Sequence, residues 1–227
     1  MRFGFNIIVF LNIISALKGV VTEVKDQMNC GSCWAFGAVA SIEAAHAQKY
    51  GELISMSEQQ LVDCVEGTSC ATGGLPSKAW EYVNKAGGIN SEENYPYEGC
   101  KTECRFDEHH IVASVLNFTK FERDGDEENL IRRLNDHPQT VAIDAGSFSF
   151  QHYKGGIMQT TYEVECNNDF NSMNHAVFVV GYDTVDGNDF YIVKNSWNKT
   201  WGEDGYFRIA RGINACGIAN YPGHAEA

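Results

Sequence analysis

The chain has 227 residues, 44% hydrophobic and 21% charged, a composition that fits one large domain or two halves sharing an interface and argues against a disordered or fibrous chain. With 17 Lys and Arg against 30 Asp and Glu, the formal net charge is −13. That balance weighs against a nucleic-acid partner and against an anionic membrane, since both need a basic face. Along the chain, Arg2 is followed by an uncharged stretch over residues 3–17 with an apolar centre at 7–11. The stretch is shorter than the roughly 20 residues of a membrane span. It reads as a secretory leader over residues 1–16, with Ser15 and Ala16 at the cut and Ile14 bulkier than usual before it. Residues 34–49 are rich in Ala and apolar on most faces, which predicts a buried helix. Ser57 to Gln60 has capping-box spacing and opens a short helix. Pro76 stands at a first helical position and Gly87 closes that helix near Ala86, with Trp80 and Val83 inward. Beyond residue 110 the pattern changes to short β-prone runs at 111–115, 141–144, 176–182, 190–194 and 206–210. One helix over 126–134 interrupts them. Helices first and strands later predict an α+β protein of two subdomains, with a cleft between them as the place for a site.

Eight cysteines stand at Cys30, Cys33, Cys64, Cys70, Cys100, Cys104, Cys166 and Cys216. In a reducing compartment they would suggest metal or redox chemistry, and in an exported chain disulfides. The leader favours disulfides. A zinc module built from Cys30, Cys33, Cys100 and Cys104 remains the rival reading, although it leaves the histidine and asparagine motifs below unexplained.

Gln27-Met-Asn-Cys-Gly-Ser-Cys33-Trp-Ala-Phe36 is the most informative stretch. Cys33 immediately precedes the buried helix, whose positive end stabilises a thiolate, the nucleophilic form. The amides at that helix start, together with the side chain of Gln27, are placed to stabilise an oxyanion. A nucleophilic thiol needs a base and a group that orients the base. His175 heads a strongly apolar run, and Asn195 ends another in Asn195-Ser-Trp197. An asparagine carbonyl accepts the imidazole N–H and fixes the tautomer without adding charge, and Trp197 is placed to cover that bond.

These residues resemble the papain family of cysteine peptidases, and within it the cathepsin L-like group. The Cys-Gly-Ser-Cys33-Trp signature is followed by His175 after 142 residues and Asn195 after 162. Supporting matches are Ser-Glu-Gln-Gln-Leu-Val-Asp-Cys64, Asn-Tyr-Pro-Tyr-Glu-Gly99, Val-Ala-Ile-Asp-Ala145, Asn-His-Ala-Val177, Trp-Gly-Glu-Asp-Gly-Tyr206 and Cys-Gly-Ile-Ala219. The resemblance covers nearly the whole chain after residue 18. It implies a two-subdomain fold, with a helical half over about 25–112, a β-barrel-like half over about 113–215 and a C-terminal tail crossing back, all within a peptidase domain over 17–227. It implies cysteine-type endopeptidase activity without a cofactor or metal, with Cys33 as nucleophile, His175 as base and then acid, Asn195 as orienter and Gln27 as oxyanion donor. Gly73 and Gly74 match the pair that hydrogen-bonds an extended substrate. Leu75, Pro76, Ala142, Met173 and Ala176 match the lining of the pocket for the second residue before the cut, and Trp197 the aromatic shield. The resemblance pairs Cys30 with Cys70, Cys64 with Cys104 and Cys166 with Cys216. The partners it implies are peptide and protein substrates and cystatin-like inhibitors, with no nucleic acid and no membrane span. The chain is expected to be a monomer of the secretory pathway, lysosomal or extracellular, with sequons at Asn117 and Asn198.

Departures from the family pattern are local. Met28 and Asn198 stand where the family usually has Gly, Cys70-Ala-Thr-Gly-Gly74 is one residue longer than usual, and the short C-terminus makes Tyr221 a candidate for the floor of the apolar pocket. The stretch between the leader and Gly19 leaves no room for an inhibitory prodomain. The alternative is therefore a truncated or poorly folding homologue without activity.

Overall fold

A computed structural model of the chain describes residues 19–119, 122–159 and 166–227. The leader over 1–16 lies outside the described residues. In chain order the elements are α1 (Cys33–Tyr50), α2 (Glu58–Cys64), α3 (Pro76–Ala86), β1 (Ile89–Asn90), β2 (Ile111–Ala113), β3 (Asn117–Phe118), α4 (Glu127–Asp136), β4 (Gln139–Ile143), α5 (Phe148–Gln151), β5 (Ile157–Met158), β6 (His175–Val185), β7 (Asn188–Lys194), β8 (Tyr206–Ala210) and β9 (Ala225–Glu226). Among the described residues two short 3-10 turns, at Glu108–His110 and Ala215–Gly217, complete them.

The helical half follows from its composition. Helix α1 is buried continuously from Trp34 to Ala47, which its run of Ala permits, because small side chains let neighbours approach on every face. It ends at Gly51, whose left-handed backbone (φ 75°) turns its N–H to the Ala47 carbonyl. Ser57 caps α2 by accepting from the Gln60 N–H at 3.0 Å. The return arm of the expected capping box is not made. The Gln60 side chain accepts from Asn90 N–H at 2.8 Å and donates to Gly88 O at 3.2 Å, tying α2 to β1. Trp34, Trp80, Leu61 and Ile89 form the core of this half.

The β half is a five-stranded sheet in the order β4-β6-β7-β8-β5, antiparallel except for the β5–β8 pair. Its core gathers Phe150, Tyr191, Val193, Phe207 and Ile209. Helix α1 lies across β4 and β6. A Cβ on Gly37 would stand 2.8 Å from Thr140 Cγ2, so only glycine allows this crossing, and Thr140 Oγ1 donates to Gly37 O at 2.7 Å. The chain end returns to the helical half: β9 pairs with β3, and Ala225 N–H donates to Ser41 Oγ at 2.8 Å.

Disulfides join Cys30 to Cys70 and Cys64 to Cys104 in the helical half, and Cys166 to Cys216 in the β half. Cys33 and Cys100 are free. With Cys30 and Cys104 committed to disulfides, the four-thiolate zinc reading has no ligand set. Among the described residues, no helix is long and apolar enough to cross a membrane.

Candidate active site

Cys33 is the first residue of α1, so its thiol sits at the positive end of an 18-residue helix. Burial pushes the thiol pKa up. The hydrogen bond and charge of His175, with the backbone amides of Ala176 and Trp34, outweigh burial and hold it below the ordinary thiol range.

His175 opens β6 and Asn195 follows the last residue of β7, so neighbouring strands bring them together. The His175 Nε2–H donates to Asn195 Oδ1 at 2.8 Å. That oxygen also accepts the Ser196 N–H at 2.8 Å, which locks the amide's orientation. The arrangement leaves the Nδ1 side of the ring for Cys33. Trp197 lies against the imidazole with centroids 4.7 Å apart, and the edges of Phe150 and Trp201 hold Trp197 in turn, at 5.4 and 5.2 Å.

Gln27 is fixed from both ends of its amide. Its Oε1 accepts from Ser196 Oγ at 2.7 Å and from Trp197 Nε1 at 3.2 Å. Its Nε2 donates one hydrogen to Cys30 O at 2.9 Å and keeps a second. Met28 does not disturb this turn. It adopts φ 52°, and its N–H donates to Asp26 Oδ1 at 2.8 Å. Asn198 likewise takes φ 65°, a conformation asparagine tolerates better than most residues.

A cleft of about 350 Å³ runs between the halves with Cys33 and His175 on its walls. Gly73, Gly74, Leu75 and Pro76 line it from the helical half, and Ala142, Met173 and Ala176 from the β half. Trp197 does not line this cleft. It covers the His175–Asn195 bond. A Cβ on Gly74 would stand 2.7 Å from the Trp34 indole, so the glycine lets the cleft wall lie directly on α1. The extra residue after Cys70 is absorbed in a turn closed by Gly73 N–H on Ser69 O at 2.9 Å. Tyr221 does not form the pocket floor. Its hydroxyl donates to Phe170 O at 3.2 Å and its ring meets Phe170 edge-on, while Asn220 and Gly217 pack against Met173 from behind.

Sequence reasoning missed two supporting groups. Asp144 accepts from Asn167 N–H at 2.8 Å and from Asn174 Nδ2 at 2.9 Å, bracing the residue before His175. Its signal was a carboxylate at the end of an apolar strand. Between the halves lies an ion cluster. Lys25 Nζ contacts Glu43 at 3.1 Å and Glu58 at 2.8 Å, and Lys194 Nζ donates to Thr22 Oγ1 at 2.9 Å. Its signal was Glu43 in the middle of a buried, Ala-rich helix. Burial pushes Glu58 up to about 8, against the pull of Lys25, and pushes Lys194 down to about 8.

Asn117 and Asn198 are both exposed. Asn198 Nδ2 donates to Asp26 Oδ2 at 3.1 Å.

A half-buried, helix-terminal thiol bonded to an asparagine-oriented imidazole in a cleft between two halves defines a class, and the chain belongs to it: residues 14–225 match the papain family cysteine proteases. The relatives include cathepsin L of Sarcophaga peregrina, 45% identical over 90% of this chain and 61% of its own length. Cysteine proteinase 3 of Dictyostelium discoideum is 43% identical over 93% of this chain and 63% of its own length. The chain thus spans about three-fifths of the length of these relatives. Among solved structures, digestive procathepsin L 3 of Tenebrio molitor larval midgut superposes with a TM-score of 0.87 at 37% identity, over 94% of this chain and 69% of that one. The bromelain protease of Ananas comosus in complex with the E64 inhibitor superposes with a TM-score of 0.82 at 36% identity, over 92% and 94%. The fold is papain-like and α+β.

Proposed function

We propose that the chain is a cysteine endopeptidase whose reacting groups are Cys33 and His175. The observation that carries the reading is the 2.8 Å bond from His175 Nε2–H to Asn195 Oδ1, with the other side of the ring hydrogen-bonded to a thiol of lowered pKa. The Cys33 thiolate attacks the scissile carbonyl carbon, and the Cys33 N–H and the second hydrogen of Gln27 Nε2 receive the resulting oxyanion. The imidazolium of His175 protonates the leaving amine as the carbon–nitrogen bond breaks. Water, deprotonated by His175, then attacks the thioester, and the proton returns to restore the thiol–imidazole pair. Gly73 and Gly74 offer backbone groups to an extended substrate. Leu75, Pro76, Ala142, Met173 and Ala176 favour an apolar side chain at the second residue before the cut.

The domain reading proposed with it is a peptidase domain from residue 17, divided near 112 into helical and β halves. Three disulfides support an oxidising compartment, and we place the protein in the secretory pathway, lysosomal or extracellular, with Asn117 and Asn198 as glycan acceptors. Peptide and protein substrates and cystatin-like inhibitors are the proposed partners of a monomer. A library of fluorogenic peptides varied at the second residue before the cut tests the reading. Apolar residues are expected to be turned over fastest, and a uniform or charge-favouring profile would overturn the pocket assignment.

A further inference from the structure

Apart from the cleft, the two halves line a small cavity of about 20 Å³ that has Asn195 in its wall. Its polar walls are Lys25, Glu43, Glu58, Lys194, Asn195 and Ser196. A cavity of roughly 10–15 Å³ is enough to hold one water when polar partners surround it. Two buried groups here have donors to spare. Asn195 is 3% exposed, and its Nδ2 is buried with no hydrogen-bond partner among the described residues, although its Oδ1 is fully engaged. Lys194 is 7% exposed, and its ammonium carries three N–H groups, of which Thr22 takes one. Facing them are the carboxyl groups of Glu43 and Glu58. A buried N–H left without a partner is costly, and a bridging water is the partner that a polar pocket of this size can supply.

We propose that this cavity is a water site that positions Asn195: one ordered water accepts from Asn195 Nδ2 and Lys194 Nζ and donates to the carboxyl oxygens of Glu43 and Glu58. Asn195 is then held at both ends of its amide, by His175 and Ser196 on the oxygen and by the water on the nitrogen. Lys194, Glu43 and Glu58 touch neither substrate nor the reacting atoms. They are positioning residues that act on His175 through the water and Asn195. For turnover, this rests on the peptidase reading above.

Two measurements test it on the full chain. The first needs no activity. In ¹⁵N-labelled wild-type protein, the Asn195 side-chain amide protons are expected to show a cross-peak to a long-lived water, and a diffraction structure is expected to place one water within hydrogen-bond distance of Nδ2. A dry cavity, or a protein partner on Nδ2, would overturn the site. The second uses Lys194→Met, which removes a donor and keeps the chain length. With rates normalised to titrated Cys33 thiols, kcat is expected to fall roughly five- to tenfold, the effect of one buried hydrogen bond. KM is expected to hold and the His175 ¹⁵N shifts to move. A loss of folded protein with unchanged kcat per thiol and unchanged His175 shifts would leave the cluster merely structural and overturn the positioning role. Wild-type protein that hydrolyses no peptide while showing the water cross-peak would sink the peptidase reading and leave the water site standing.

Discussion

His175 Nε2 and Asn195 Oδ1 stand 2.8 Å apart at the adjoining ends of β6 and β7. The strand pairing sets this separation, and the Asn195 oxygen accepts the hydrogen bond without taking the proton. Asn195→Ala is therefore expected to lower kcat/KM by roughly ten- to a hundredfold, the loss of one or two buried hydrogen bonds. His175→Ala removes the proton-transfer group and is expected to cost at least 10²–10⁴-fold. Steady-state kinetics on the two variants should keep that order, and equal losses would contradict the orienting role.

The thiol of Cys33 is held below its ordinary range, chiefly by His175 working against burial. A lowered pKa means the thiolate persists as pH falls. Alkylation of Cys33 is expected to stay fast well below pH 8.5, the value of a free thiol. In His175→Ala the midpoint is expected to move upward. Rates of iodoacetamide labelling against pH give both midpoints, and coincidence of the two would contradict the pairing.

Glu58 is raised to about 8, first by burial. Above the unfolded pKa of about 4.3 the folded state then holds a proton that the unfolded state has released. Folding takes up that proton, so stability is fully present at low pH and falls as pH rises from about 4.3 to about 8. Glu58→Gln is neutral at every pH and is expected to flatten this slope. Urea unfolding at pH 5 and pH 8 measures it, and an equal slope in both proteins would reject the assignment.

Met28 occupies a left-handed backbone at φ 52°, which costs a non-glycine residue roughly 1–2 kcal/mol. Glycine relieves that cost but loses more unfolded-state entropy. Met28→Gly is expected to stabilise the chain by about 0.5–1 kcal/mol, with kcat/KM unchanged. Denaturant titration checks it, and a destabilised variant would show that the Met28 side chain packs more favourably than its backbone strains.

The site was legible where its chemistry is coded locally. Cys33 was readable because a helix start, a flanking aromatic and Gln27 lie within ten residues. His175 and Asn195 were readable by the company they keep at strand ends. The elements missed are those that only tertiary pairing creates: the two-residue strands β1, β3, β5 and β9, the four-residue helix α5, and the Asp144–Asn174 brace. The ion cluster draws Thr22 and Lys25, Glu43, Glu58 and Lys194 from four separate segments, which no local pattern announces. Trp197 was readable as the cover of the His175–Asn195 bond from its place in Asn195-Ser-Trp197, but the Phe150 and Trp201 rings that hold it against His175 come from distant segments.

The proposed nucleophile is Cys33 and not the other free thiol, Cys100. Cys33 is half-buried in the cleft and Cys100 is exposed outside it. A peptidyl electrophile with an apolar residue two before the reactive carbon, mixed at one equivalent at pH 5.5 and mapped by tryptic mass spectrometry, tests this directly. One adduct on Cys33 is expected, with loss of peptide hydrolysis in proportion to that adduct and no adduct in Cys33→Ser. Labelling confined to Cys100, or peptide hydrolysis by Cys33→Ser at the wild-type rate, would contradict it.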